Sequence, residues 1–251
     1  MISMPATPAW PPASTPRLYV TQLLEGAGQI MIAGAQAHYL AGVMRAKPGD
    51  PVRLFDDISG EWLAEVAHIG KRDLVLDVKA KLAPRETVPD LWLLTAPIKK
   101  GRIDWIVEKA CELGVDHIVP VWTRRTVIDK INHERLTAHM IEAAEQCGRT
   151  ALPTLAPLAK LEQLLHGWPI NRTLLFADES GGIPMMQAMT SGPTAILIGP
   201  EGGFTEEERA MIRALPQAKA ISLGRRILRA DTAAVAAISL WMASAGDWAT
   251  S

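Results

Sequence analysis

Hydrophobic and polar positions follow two different rhythms along this chain, and the change falls in a linker at 87–90. Between 17 and 84 the apolar residues come in short runs, 29–32, 51–55, 61–69 and 74–78, parted by Gly, Asp and Ser; this predicts strands joined by turns. One segment, 35–44 (AQAHYLAGVM), reads as a helix that Pro48 and Gly49 bring to a stop. Beyond the linker, 91–96 (LWLLTA) is apolar throughout, as a parallel strand covered on both faces requires. Ile103, Val107, Ala110 and Leu113 then recur at helical spacing up to Gly114, and 117–122 is the next strand. A β-α-β order of this kind predicts a parallel sheet. Segment 134–149 reads as an amphipathic helix, 174–177 and 195–198 as strands, and 231–243 as a last helix with Ala233, Ala234, Ala236 and Ala237 on its early face. The expected fold class is α/β, preceded by a small β-rich domain.

Two apolar runs in the second half end alike. At 196–209 (ILIGPEGGFTEEER) and again at 221–232 (ISLGRRILRADT) a buried-strand pattern breaks at glycine into a loop that leads toward a helix. An α/β protein places its ligand at such loops. Gly199, Gly202 and Gly203 let the first loop turn sharply and lie against something bound, and Pro200 stiffens it. Thr205 and Glu208 form a capping box that opens the following helix. A phosphate cradle is disfavoured: no G-x-G-x-x-G fingerprint or P-loop Lys-Ser/Thr pair is present, and Glu201 puts negative charge where phosphate would sit. A neutral or cationic ligand held by backbone groups fits better.

Composition narrows this further. The 251 residues, 48% hydrophobic and 21% charged, suit one large or two modest soluble domains. With a formal net charge of -1, any RNA contact must come from local basic clusters. Lys99, Lys100 and Arg102 form one at the start of a helix, where cations oppose the helix dipole; the readings are an RNA phosphate contact or a solvated turn. Arg124 and Arg125 form a second, and Arg45 and Lys47 follow a helix end where the alternative is a favourable dipole interaction. No apolar stretch reaches the length of a membrane helix, and the first residues lack a signal-peptide pattern. Cys111 and Cys147 fit a reducing cytoplasm and cannot build a metal site unaided. Residues 1–16, with five prolines and no charge, are expected to form a disordered leader.

The two glycine loops, IGPEGGFTEEE and LGRRILRADTA, resemble the C-terminal signature of the RsmE family, the uridine-N3 methyltransferases of 16S ribosomal RNA in the SPOUT superfamily. The likeness extends upstream through Lys100, Gly101, Lys109, Glu112, Leu113, Gly114 and Val115, and through EAAEQCGR at 142–149. His38, Leu40, Val43, Arg45, Gly49 and Asp50 match the family's N-terminal segment, with Met44 where leucine is usual.

This resemblance implies a PUA-like β-barrel that contacts RNA (17–84) and a SPOUT methyltransferase domain (88–247) whose deep trefoil knot binds S-adenosylmethionine. It further implies a cytoplasmic homodimer acting on the small ribosomal subunit, without metal or membrane. Cofactor contacts are expected from Gly199, Pro200, Glu201, Gly202 and Gly203 on one loop and Leu223, Gly224, Ile227 and Leu228 on the other. Arg226 and Arg229 are expected to orient uridine or stabilise charge, and Glu201 to accept the N3 proton or to position the cofactor or the loop. RNA contacts fall to Arg17, Arg45, Lys47, Lys99, Lys100, Arg102 and Arg125, while Asp231 stands where the family more often has Glu. The alternatives are a SPOUT enzyme acting on another RNA atom and a non-catalytic ribosome-assembly factor that binds RNA.

Overall fold

The structure, a computed structural model, describes residues 14–99, 101–128 and 130–249. The expected leader therefore lies largely outside the described residues, and so does Lys100. The chain separates into two compact units, Met1–Thr87 with Gly148–Ala151, and Val88–Cys147 with Leu152–Ser251.

In the first unit, strands β1 (Arg17–Tyr19), β2 (Gln29–Ala33), β3 (Pro51–Asp56), β4 (Gly60–Ile69) and β5 (Asp73–Ala83) form a sheet in the order β1-β3-β4-β5-β2. All pairs are antiparallel except β1 with β3. Alternate positions, Ile30 and Ile32, Val52 and Leu54, Leu74 and Leu76, turn to one side and make the core with Leu18, Leu24 and Leu40. Register shifts at Glu61/Trp62, Leu63/Ala64 and Val66/His68 bend the long β4–β5 ribbon. No pairing among the described residues joins β1 to β2, so the expected barrel is a curled half-barrel.

The second unit runs β6 (Leu91–Thr95), α2 (Arg102–Glu112), β7 (His117–Trp122), α3 (His133–Cys147), β8 (Thr154–Leu155), β9 (Ala159–Lys160), α4 (Leu161–His166) and β10 (Thr173–Ala177). It continues through β11 (Ile183–Pro184), α5 (Met185–Ala188), β12 (Thr194–Ile198), α6 (Glu206–Arg213), β13 (Ala218–Ser222) and α7 (Ala230–Ala245). The sheet order is β11-β13-β10-β12-β6-β7-β8, with β9 beside β7, and every pair is parallel. Both faces are covered, so β12 is buried at each of its positions. Leu94, Leu174, Phe176, Leu197, Phe204 and Ile212 pack in one core cluster, while α2 lies against α3 and α7. Helix α3 stops at Cys147, two residues short of expectation, because Gly148 takes φ +88 and leaves the helix.

Segment 34–44 of the first unit is a hybrid. Helix α1 (Gly34–His38) passes into a π-helical turn, Tyr39–Val43. The helix ends well before Pro48, with the Ala46 N–H donating to the Leu40 carbonyl at 2.9 Å and Arg45 at φ +55. That left-handed position is usually glycine's, and a side chain there costs about 1–2 kcal/mol. Replacement Arg45→Gly should therefore leave the thermal unfolding midpoint unchanged or raise it, whereas Arg45→Val should lower it, both read by circular dichroism.

Candidate active site

Strands β12, β10 and β13 lie side by side and parallel, so their carboxyl ends open on one edge of the sheet. The loops that leave them enclose a cleft of about 330 Å³. From β10 come Ala177, Asp178 and Glu179; from β12, Ile198 and the run 199–203; from β13, Ile221 and the run 222–228. All nine residues expected to hold a cofactor, Gly199 to Gly203 on one loop and Leu223, Gly224, Ile227 and Leu228 on the other, line this one cleft.

The glycines are used for different reasons. Gly203 sits at φ +67 and donates its N–H to the Pro200 carbonyl at 2.8 Å, closing a tight turn. A Cβ on Gly199 would press on the Phe204 ring at 3.0 Å. The back of the loop is tied down by a neighbour. Glu208 caps α6 by accepting the Thr205 N–H at 2.9 Å, and its other oxygen accepts the Arg124 N–H at 2.8 Å. Arg125 then donates to the Gly202 carbonyl at 2.6 Å. One buried carboxylate thus joins the cleft loop to the turn that follows β7.

Charge divides the cleft into two walls. On the acidic wall Asp178 is buried and accepts from the Ser180 hydroxyl at 2.7 Å, from Arg209 at 3.2 Å and from Arg213 at 2.7 Å. Arg209 also pairs with Glu179 and with Glu206. Glu201 is exposed at the mouth. On the basic wall Arg225 and Arg226 are exposed, and neither side chain has a hydrogen bond or ion pair among the described residues. Arg229 is exposed at the N-cap of α7, next to Ala230, which lines the cleft.

The RNA candidates are placed unequally. Arg45 and Lys47 are exposed in the first unit, and Lys99 is exposed in the second. Arg17 is only 8% exposed: it pairs with Glu61 at 3.1 Å, donates to the Arg149 carbonyl at 2.8 Å and lies 3.9 Å from the Phe55 ring centre. Its guanidinium is occupied in holding the first unit together, so RNA would have to displace Glu61 to reach it. Arg102 pairs with Asp231 at 3.1 Å, the position where the family more often has Glu. Arg125 serves the cleft loop as described.

Sequence reasoning gave no part in the site to Ser222, Ala233 or Arg209, although the first two line the cleft and the third holds its acidic wall. The Glu206–Arg209 spacing, one helical turn, was the readable trace of that network. Among the described residues no group of three or more His, Cys, Asp and Glu could hold a metal ion.

Comparison with known proteins adds a lineage to this geometry. A family model described as an RNA methyltransferase domain matches residues 85–242, and one described as an RNA methyltransferase PUA domain matches 32–79. The ribosomal RNA small subunit methyltransferase E of Rickettsia conorii is 34% identical over 89% of this chain and 93% of its own length. Its Bacillus subtilis counterpart is 28% identical over 87% and 91%. The Neisseria gonorrhoeae enzyme of the same name, solved bound to S-adenosylmethionine, superposes with a TM-score of 0.84 at 25% identity, over 93% of this chain and 99% of that one. A Legionella pneumophila protein solved with the same cofactor bound gives 0.85 at 27% identity, over the same shares.

Burial alone would raise the Asp178 carboxyl, but hydrogen bonds from Ser180 and the Arg213 guanidinium outweigh it and hold it below the ordinary carboxylate range. A depressed folded value means the carboxylate stabilises the fold above its unfolded pKa of about 4, and that contribution is lost as pH falls through the folded value. Replacement Asp178→Asn should lower stability at neutral pH by roughly 1–3 kcal/mol. Denaturant titrations should also show a weaker loss of stability below about pH 4 than in the wild type.

Proposed function

Because the chain belongs to the RsmE family of RNA methyltransferases, we propose that it transfers a methyl group from S-adenosylmethionine to N3 of a uridine in small-subunit ribosomal RNA. The observation that carries this reading is the two-walled cleft at the ends of β10, β12 and β13. The cofactor bears a cationic sulfonium, an ammonium and a carboxylate, so it needs both signs of charge within one small space. Glu179 and Glu201 supply negative charge, Arg225 positive charge, and the glycine loops let main chain approach a nucleoside. Bound there, the cofactor supplies an electrophilic methyl group.

The remaining work falls to side chains of this protein. Losing the N3 proton leaves negative charge on the uracil oxygens, and Arg226 and Arg229 are free to meet it. Glu201, exposed at the mouth and unpaired among the described residues, takes the proton. Arg45 and Lys47 in the first unit and Lys99 in the second contribute phosphate contacts that set the register of the RNA. The trefoil threading implied by the RsmE resemblance surrounds this cleft, the working partner is a second copy of the chain, and the setting is the cytoplasm. No helix among the described residues is long and apolar enough to cross a membrane.

Three measurements test this. Small ribosomal subunits lacking the modification, incubated with the protein and labelled cofactor, should yield 3-methyluridine on nucleoside mass spectrometry; a ribose-methylated product would point to a different RNA atom. Gly202 needs no positive φ, and among the described residues a Cβ there meets only the Arg125 side chain, at 3.4 Å. Gly202→Val should therefore keep its circular dichroism spectrum and lose cofactor affinity by at least about tenfold in calorimetry. Arg229→Ala should keep cofactor affinity while its kcat falls by roughly a hundredfold or more.

A further inference from the structure

A second cavity, of about 310 Å³, opens in the same unit on residues that the cofactor cleft does not use. Ile98, Ile103, Ile131 and Leu136 make its apolar part. Ile98 follows β6, Ile131 follows β7 and Ile103 stands in the first turn of α2, so the cavity lies at the carboxyl ends of β6 and β7. Since β6 pairs in parallel with β12, this is the same edge of the sheet that carries the cofactor cleft.

The polar part is cationic. Lys130 and Arg135 line the cavity, and Lys99 follows Ile98 directly. Lys99 and Lys130 are exposed, and among the described residues neither side chain has a hydrogen bond or ion pair. Arg135 lies 3.0 Å from Asp104, yet its Nε is buried without a hydrogen-bond partner among the described residues. Asn132 spends its carbonyl oxygen on the Arg135 N–H at 2.9 Å, and its two amide hydrogens have no partner among the described residues.

An apolar slot lined by two cations and an amide donor, with Lys99 next in sequence to one of its isoleucines, matches one ligand chemistry well. A planar base buries its faces against the isoleucines, its phosphates meet the lysines, and a base carbonyl accepts from Asn132. Its volume falls at the lower end of the roughly 300–1,000 Å³ typical of small-ligand pockets. We propose that this cavity takes one unstacked nucleotide of the RNA, a neighbour of the nucleotide presented to the cofactor cleft. The proposal rests on the function proposed above and adds a second base-reading position to it.

The test uses the full-length protein, unmodified small ribosomal subunits and S-adenosylmethionine. Ile131→Trp fills the slot, and Lys130→Ala removes an exposed cation without touching the core. In filter binding without cofactor, Ile131→Trp should weaken subunit binding about tenfold. Lys130→Ala should lower the slope of log affinity against log salt by about one. Calorimetry should give wild-type cofactor affinity for both. If both variants bind subunits as the wild type does and still methylate them, the proposal falls while the activity stands. If the wild type itself fails to bind or methylate subunits, the activity falls and the proposal with it. A change of sedimentation in Ile131→Trp with subunit binding intact would assign the cavity to a contact between copies and overturn the proposal.

Discussion

The site depends on a constraint of sheet geometry: β12, the last strand but one in sequence, is laid between two earlier ones, β6 and β10. A central strand has to pair every backbone group it buries. The Thr194 N–H donates to the Asp90 carbonyl at 3.1 Å, and the Ala96 N–H to the Ile198 carbonyl at 3.1 Å, so the pairing with β6 is closed at both ends. On the other side the Thr173 N–H donates to the Pro193 carbonyl at 3.0 Å. With that register set, the loops after β10, β12 and β13 have one edge on which to meet. Glu208 then secures the middle loop from behind through the Arg124 N–H. The cleft is a consequence of strand order first and of glycine second.

Its two walls are built differently. The acidic wall is an ordered lattice in which Arg209 ties together Asp178, Glu179 and Glu206, so those carboxylates are held in place before any ligand arrives. The basic wall is a row of exposed guanidiniums on a loop. Pre-organised charge suits a cofactor whose cationic centre is the same in every turnover, and unheld arginines suit an RNA surface that has to be approached and released. Gly203 links the two ideas, because the Glu179 carboxylate lies where its side chain would be.

Much of this was legible from residue order. The apolar runs located the central strands, and the capping box at Thr205 and Glu208 is formed as the spacing implied. The likeness to RsmE enzymes located the cleft loops. Less legible were β8, β9, β11 and α5, each only two to four residues long. Elements of that length carry no periodicity and exist by tertiary pairing alone. Arg17 shows the other limit: a cation at the start of a β-rich domain looks like a phosphate contact until its three-dimensional partners, Glu61 and Phe55, are known. A single charged residue carries no sign of whether it faces water. Segment 35–44 is helical to Val43, but its stop, read from Pro48 and Gly49, is made earlier in the chain by Arg45 at φ +55.

The first unit is not contiguous in sequence. Gly148–Ala151 belongs to it, with the Arg17 guanidinium donating to the Gly148 and Arg149 carbonyls, and Glu86 accepting the N–H groups of Thr150 and Ala151. During synthesis these four residues emerge long after β1 to β5, when most of α2, β7 and α3 has already left the ribosome. The amino-terminal half-barrel therefore waits, with Arg17 and Glu86 short of partners, until the chain doubles back to complete it. Vectorial translation ties the maturation of one half of the molecule to progress of the other.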